Sequence, residues 1–255
     1  MGGGPGTSIY KSIDSGINWF KIDVGLPESN LGKIGLAISP FDSSIIYAAI
    51  ETDRRNGGVY KTTNSGGSWV KMSDTVSGAT GPHYYQELVA SPHVFDKIYL
   101  MDTNVQVSDN GGKDFYMMNE SDKHVDNHSL TFKMSDPNYL LIGTDGGIYE
   151  SFDDTDSWKF VANLPLTQFY KLAVDDAYPF YNIYGGTQDN NTQGGPSRTL
   201  KRSGITNSDW FVLLGGDGHQ PATEPGNPNI VYAQSQQGNI HLSLIHISEP
   251  TRLAE

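Results

Sequence analysis

The sequence predicts an all-β chain, a partial β-propeller of about five four-stranded antiparallel blades, from three observations. An eight-residue turn signature comes back along the chain. Short apolar, β-branched runs closed by proline turns come back in the same rhythm. No stretch carries a long helical period.

The signature is Ser/Thr-x-Asp/Asn-x-Gly-x-x-aromatic. Its copies are Ser12–Trp19, Thr62–Trp69 and Ser108–Phe115, then Ser151–Trp158, which has lost the glycine, and Ser203–Trp210, which keeps only the ends. The third positions Asp14, Asn64, Asn110 and Asp153 are spaced by roughly 40–50 residues, a propeller or solenoid period. An Asp or Asn side chain bonds backbone amides just ahead of it, and Gly two residues on supplies positive φ. The aromatic re-enters a strand and packs on a neighbouring unit. None of this requires catalysis.

One whole unit is legible between residues 34 and 72. Ile34–Ser39 is a first strand stopped by Pro40, Ile45–Ile50 a second, Val59–Thr62 a third leading into the box, and Trp69–Met72 a fourth. Glu87–Ser91 with Pro92 and Lys97–Leu100 repeat the first pair. So do Ser129–Met134 and Tyr139–Ile142 around Pro137, and Tyr170–Val174 and Asn182–Tyr184 around Pro179. The last copy is Glu224–Tyr232. Before Gly25 only a strand into the first box (Thr7–Lys11) and a strand out of it (Trp19–Val24) are present, so the chain is expected to start mid-repeat.

Composition narrows the partners. The 255 residues include 29 Gly, 14 Tyr, 10 Phe and 4 Trp, which suits many short strands joined by turns. A net charge of -12 lacks the basic footprint of nucleic-acid binding and disfavours anionic membrane surfaces. With no cysteine there is no disulfide framework, thiolate metal site or thiol nucleophile. No apolar run is long enough to span a bilayer, so membrane insertion is not expected. The opening Met1–Gly6 lacks the charged and apolar regions of a signal peptide.

Residues 242–255 break the pattern. Leu242–Arg252 resembles the in-frame translation of a transposon-type sequencing adapter. The expected division is therefore an incomplete propeller over 1–241 and a non-native tail over 242–255, with further blades of the same full-length chain as the propeller's first partners.

The boxes resemble Asp-box, or BNR, repeats. Gly6–Ser12, His124–His128, Gly143–Tyr149, Gly185–Asn190 and Gly215–Gly218 are similar to large bacterial proteins with a sortilin N-terminal-like propeller, often labelled glycosyl hydrolase-like or photosystem-assembly-factor-like. The resemblance covers residues 2–241. It implies an extracellular or periplasmic propeller. Sialidases, xyloglucanases and non-catalytic sortilins all carry the box, so it is specific for fold and poor for function. The sialidase arginine triad is not recognisable here.

Strand alternation sorts the loops. The box joins third to fourth strands, and the Pro turns lie on its side of the sheet. Second-to-third loops and fourth-to-next-first loops lie on the opposite side. That box-free face collects His83, His124, Asp126, His128, Asp145, Gln188, Asp189, Asp217 and His219, which are the expected ligand-binding residues. Asp102, Asn104, Gln168, Gln234 and Gln236 fall on it too. Tyr84, Tyr85, Phe169 and Tyr170 suit sugar stacking or core packing.

Three functions follow for these groups. An extended His124-x-Asp126-x-His128 would put two imidazoles and a carboxylate on one side, a donor set suited to zinc. The alternative is a hydrogen-bonded loop, and no metal or other cofactor is expected. Asp145, Asp189 and Asp217 recur at similar places and are the catalytic candidates, since paired carboxylates serve glycoside hydrolysis; Asp-Gly and Asp-Asn also favour turns. The expected function is a secreted scaffold that binds a peptide or polysaccharide. A glycoside hydrolase resembling xyloglucanases is the alternative.

Overall fold

The computed structural model describes all residues except 1–2, 54–55, 79–84, 163, 165–166, 245–250 and 253–255. The chain divides into two compact units, Met1–Ala162 and Asn163–Glu255.

The first unit begins with a two-stranded sheet, β1 (Tyr10–Lys11) and β2 (Phe20–Lys21). Three four-stranded antiparallel meanders follow, each in simple order. They are β3 (Ile34–Ile38), β4 (Ile46–Asp53), β5 (Asn56–Thr62) and β6 (Val70–Ser73); β7 (Leu88–Ala90), β8 (Ile98–Leu100), β9 (Gln106–Ser108) and β10 (Tyr116–Met117); and β11 (Asn127–Lys133), β12 (Asp136–Thr144), β13 (Gly147–Ser151) and β14 (Lys159–Phe160). The second unit holds two more. One is β15 (Lys171–Val174), β16 (Asn182–Gly186), β17 (Thr192–Pro196) and β18 (Phe211–Leu214). The other is β19 (Ala222–Glu224), β20 (Asn227–Gln234), β21 (Ile240–Leu244) and β22 (Thr251–Arg252). The five four-stranded sheets expected from the repeat are present. Leu242–Leu244 extends β21, and Thr251 pairs with Leu242.

The middle strands of the β3–β6 and β7–β10 sheets are apolar on both faces because each of these sheets is covered twice. On β4, Ala48 and Ile50 belong to the core shared with Ile9, Leu31 and Trp69, while Tyr47 and Ala49 belong to the next core, with Leu88, Ile98 and Leu100. On the β8 segment, Tyr99 and Met101 turn to a third core with Leu140, Ile142 and Trp158. Period-two alternation therefore sends successive residues of one strand into different seams. In the second unit Tyr184, Leu213, Val231 and Ala233 fill the corresponding seam.

The recurring turns are closed by their own side chains. In the first copy Gly16 donates its amide to Ser12 Oγ (2.8 Å) and Asn18 donates to Asp14 Oδ1 (2.8 Å). The same two bonds recur from Gly66 to Thr62 and Ser68 to Asn64, from Gly112 to Ser108 and Asp114 to Asn110, and from Thr155 to Ser151 and Ser157 to Asp153. The hydrogen bonds from Asn18 and from Ser157 hold the Asp14 and Asp153 carboxyls below the usual aspartate range. Two successive residues in each turn have positive φ, for example Ser65 (58°) and Gly66 (87°). A Cβ on Gly66 would sit 2.4 Å from Ile22 Cδ1 of the preceding sheet, so glycine here also permits the seam to close. The fourth copy keeps the geometry without glycine: Asp154 and Thr155 take φ of 53° and 80°. In the fifth, a 3₁₀ turn at Asn207–Asp209 replaces the box, with Lys201 paired to Asp209.

The closing aromatic ties one sheet to the one before it. Trp69 Nε1 donates to Ile22 O and Trp158 Nε1 to Asn119 O, both at 2.9 Å. Trp19 instead bonds Gly16 O inside its own turn and is 61% exposed.

Thr155→Gly is expected to raise stability by about 0.5–1 kcal/mol in denaturant unfolding, because a β-branched residue at φ 80° is strained. A pH effect follows from burial, which pushes the hydroxyls of Tyr47, Tyr99 and Tyr184 above the usual phenol range. The unfolded chain loses these protons near pH ~10 while the folded chain keeps them. Stability is therefore intact below that pH and declines as pH rises beyond it, measurable as falling urea midpoints in alkaline buffers.

Candidate functional site

In the first unit the box-free loops meet one another. Asp126 donates its amide to Thr103 O (2.8 Å), Asn127 to Asp102 O (3.1 Å) and Asp145 to Asp126 O (3.1 Å). The β8–β9, β10–β11 and β12–β13 connections are thereby stitched at their backbones.

Side chains extend the stitching. His128 Nε2 lies 3.0 Å from Asp145 Oδ1. The Tyr85 ring stacks on the His128 ring, with centroids 5.4 Å apart and planes at 16°. Tyr85 donates its hydroxyl to Asp126 Oδ1 at 2.5 Å. Tyr85 is buried, and that burial first, then its bond to Asp126, raises its pKa. Its role here is to support the imidazole and carboxylate from beneath. Asp126 has a φ of 61°, so a left-handed residue interrupts the alternation through His124–His128. His124 Nδ1 faces Val125 O at 2.8 Å. A Cβ on Gly146 would lie 2.5 Å from the His124 ring, so the bare glycine lets that ring lie across the β12–β13 turn. The three residues of the His-x-Asp-x-His set thus have separate partners.

Below this cluster is a buried charge network that the sequence did not single out. Lys123 Nζ and Glu120 Oε1 are 2.6 Å apart, with their side chains 0% and 4% exposed. Lys123 also donates to His124 O (3.0 Å) and Asn127 Oδ1 (2.5 Å). Asn127 Nδ2 donates to Thr103 O and Glu120 Oε1. Burial lowers the Lys123 pKa against the opposing pull of Glu120. A Lys and a Glu three apart in a polar stretch read as solvent-exposed charges, so only the fold reveals the network. Asp102 is likewise a structural anchor, accepting from Gly78 N, Thr103 N and Gln106 Nε2.

In the second unit the box-free loops surround an open cleft of about 550 Å³. The size falls in the range of small-ligand sites. Tyr170, Gln188, Asp217, Gly218, His219 and Gln234–Gly238 line it. Tyr170 is 48% exposed, bonds Gln188 Oε1 through its hydroxyl, and faces the His219 ring at 5.3 Å and 47°. Asp217 Oδ1 accepts the Asp189 amide at 2.8 Å. Asp189 itself has a φ of 57°, a turn role that accompanies its exposed carboxylate. Gln188, Asp217 and His219 lie together as the strand alternation predicts, while Gln237 was not foreseen. Phe169 packs instead on Trp210, centroids 6.4 Å apart. His83 and Tyr84 lie outside the described residues.

These features define a class: consecutive four-stranded antiparallel meanders, stacked face to face within each unit, form a β-propeller fold. No protein-family model matches the sequence, and no curated relative does. Among solved structures the chain is similar to the GH74 xyloglucanase of Xanthomonas campestris, with 15% identity, a TM-score of 0.51, and coverage of 99% of this chain and 43% of that one. It also matches a GH74 enzyme of Niastella koreensis (10% identity, TM-score 0.49, 96% and 42% coverage). A third match is YCF48 bound to D1 peptide (12% identity, TM-score 0.44, 98% and 76% coverage). The chain thus spans less than half the length of the two GH74 proteins. Among the described residues no helix is long and apolar enough to cross a membrane.

Glu120→Ala is expected to cost about 3–5 kcal/mol, since it strands a buried ammonium. Lys123→Met with Glu120→Leu should restore much of that loss, as read by thermal unfolding.

Proposed function

We propose that the chain is part of an extracellular or periplasmic Asp-box propeller, completed by further blades of the same protein, whose box-free side binds a peptide or glycan. The observation that carries this reading is the open cleft in the second unit, where an exposed tyrosine ring stands among amide side chains, a carboxylate and an imidazole. Gln188, Asp189, Asp217 and His219 are its ligand groups in that unit. His83, His124, Asp126, His128 and Asp145 are those of the first. Loops carried on rigid sheets are suited to such work. The backbone bonds between neighbouring loops in the first unit support a rim already organised before a ligand arrives.

Proteins of similar fold include xyloglucanases and a propeller bound to a peptide. Both ligand classes therefore belong in the test. A hydrolase would require one carboxyl as acid and another as base or nucleophile, with Asp145, Asp189 and Asp217 as its candidates. Asp145 is engaged by His128 and Asp217 by the Asp189 amide, which favours structural and binding duties for them.

The test is calorimetric titration of the chain with panels of oligosaccharides and peptides. Gln188→Ala and Asp217→Ala should each weaken binding about tenfold, a loss of ~1.4 kcal/mol. Lys113→Ala, in an exposed box position, should leave it unchanged. Equal effects at both kinds of site would overturn the assignment. Release of reducing sugar by the wild type, lost in folded Asp145→Asn and Asp189→Asn, would replace binding by hydrolysis.

A further inference from the structure

We infer that the cleft of the second unit selects uncharged sugar rings, with the Tyr170 face as the platform and a glutamine set as the hydroxyl reader; this rests on the binding reading above and narrows it. The lining is unusual in its charge balance. Among the described residues no lysine or arginine borders the cleft, and its charged or chargeable groups are Asp217 and His219. A carboxylate, sulfate or phosphate on the ligand would meet Asp217 without a fixed cation to offset it, in a chain whose net charge is -12.

The polar surface that remains is mostly primary amide. Gln188 comes from the β16–β17 loop, Gln234 from the end of β20, and Gln236 and Gln237 from the turn that follows it. Each amide offers two donors and an acceptor with two lone pairs, which matches the donor-and-acceptor character of vicinal hydroxyls. Gln188 is held through its Oε1 by Tyr170, which leaves its NH₂ as the group that reads a ligand. Gln236 is seated against Gly216: a Cβ there, at φ 95°, would lie 2.6 Å from Gln236 Oε1. Glycine at 216 thus permits the glutamine to close over the loop.

The platform is the second element. Tyr170 is half exposed, its hydroxyl is tied to Gln188, and His219 flanks its ring at 5.3 Å. A ring fixed at both its tip and its side presents an apolar face at low entropic cost. The C–H face of a pyranose supplies a flat apolar surface for it. The volume, about 550 Å³, accommodates a short oligosaccharide segment rather than a folded partner.

The experiment is saturation-transfer NMR and titration of the chain with cellotetraose, mannotetraose and a xyloglucan heptasaccharide, against tetragalacturonate and a tetrapeptide. At least one neutral saccharide should bind and the acidic one should not. Tyr170→Ala should lose about tenfold in affinity, while Tyr170→Phe, which keeps the ring, should stay within about threefold. Gln236→Ala should fall between them. Binding of tetragalacturonate or of the peptide at this cleft, with no neutral saccharide bound, would overturn the sugar assignment while leaving the binding face standing. Neutral saccharide binding that ignores Tyr170→Ala would overturn the platform. If none of the probes binds at either unit, both this inference and the binding reading fall.

Discussion

A sheet that is apolar on both faces must be covered twice, and this constraint shapes the first unit. Tyr47 and Ala49 face one seam while Ala48 and Ile50 face the other, so neither set can be hidden by a single neighbour. Burying a large apolar side chain is worth about 1.5–3 kcal/mol, against ~1 kcal/mol net for a typical hydrogen bond. The seams therefore dominate the energetics, and the recurring turns mainly specify how the strands enter them. The Gly66 contact with Ile22 and the Trp69 bond to Ile22 O show both roles at one junction.

Much of this architecture was legible in the sequence, for physical reasons. The turn signature names its own hydrogen bonds, so Ser12, Asp14 and Gly16 announce a geometry found again at Thr62, Ser108 and Ser151. Strand alternation then brings His128 beside Asp145, and Gln188 beside Asp217 and His219. Strand lengths were less legible. The strand expected over Thr7–Lys11 is only Tyr10–Lys11, because periodicity shows apolar rhythm but not where pairing stops.

Local conformation was the harder part. Nothing in the residue types shows that Asp126 adopts a positive φ and breaks the run from His124 to His128. Tyr85 gave two readings, sugar platform or core, and burial decides for support of His128. Lys123 and Glu120 look like surface charges until the β10–β11 loop that carries them folds inward. Such burial depends on contacts distant in sequence, with Thr103 joined to the network through Asn127 and the Trp158 ring centroid lying 5.7 Å from Lys123 Nζ.

The indole bonds across the seams also give the molecule a direction of failure. Trp69 and Trp158 clamp their sheets to the preceding one, so separating either seam breaks a buried bond along with the apolar contact. Trp19 has no such clamp and stands largely in solvent. Loosening of the first unit should therefore start as fraying of the exposed Trp19 turn at the tip of the β1–β2 hairpin, while the hairpin itself leaves only when the Trp69 bond to Ile22 O breaks.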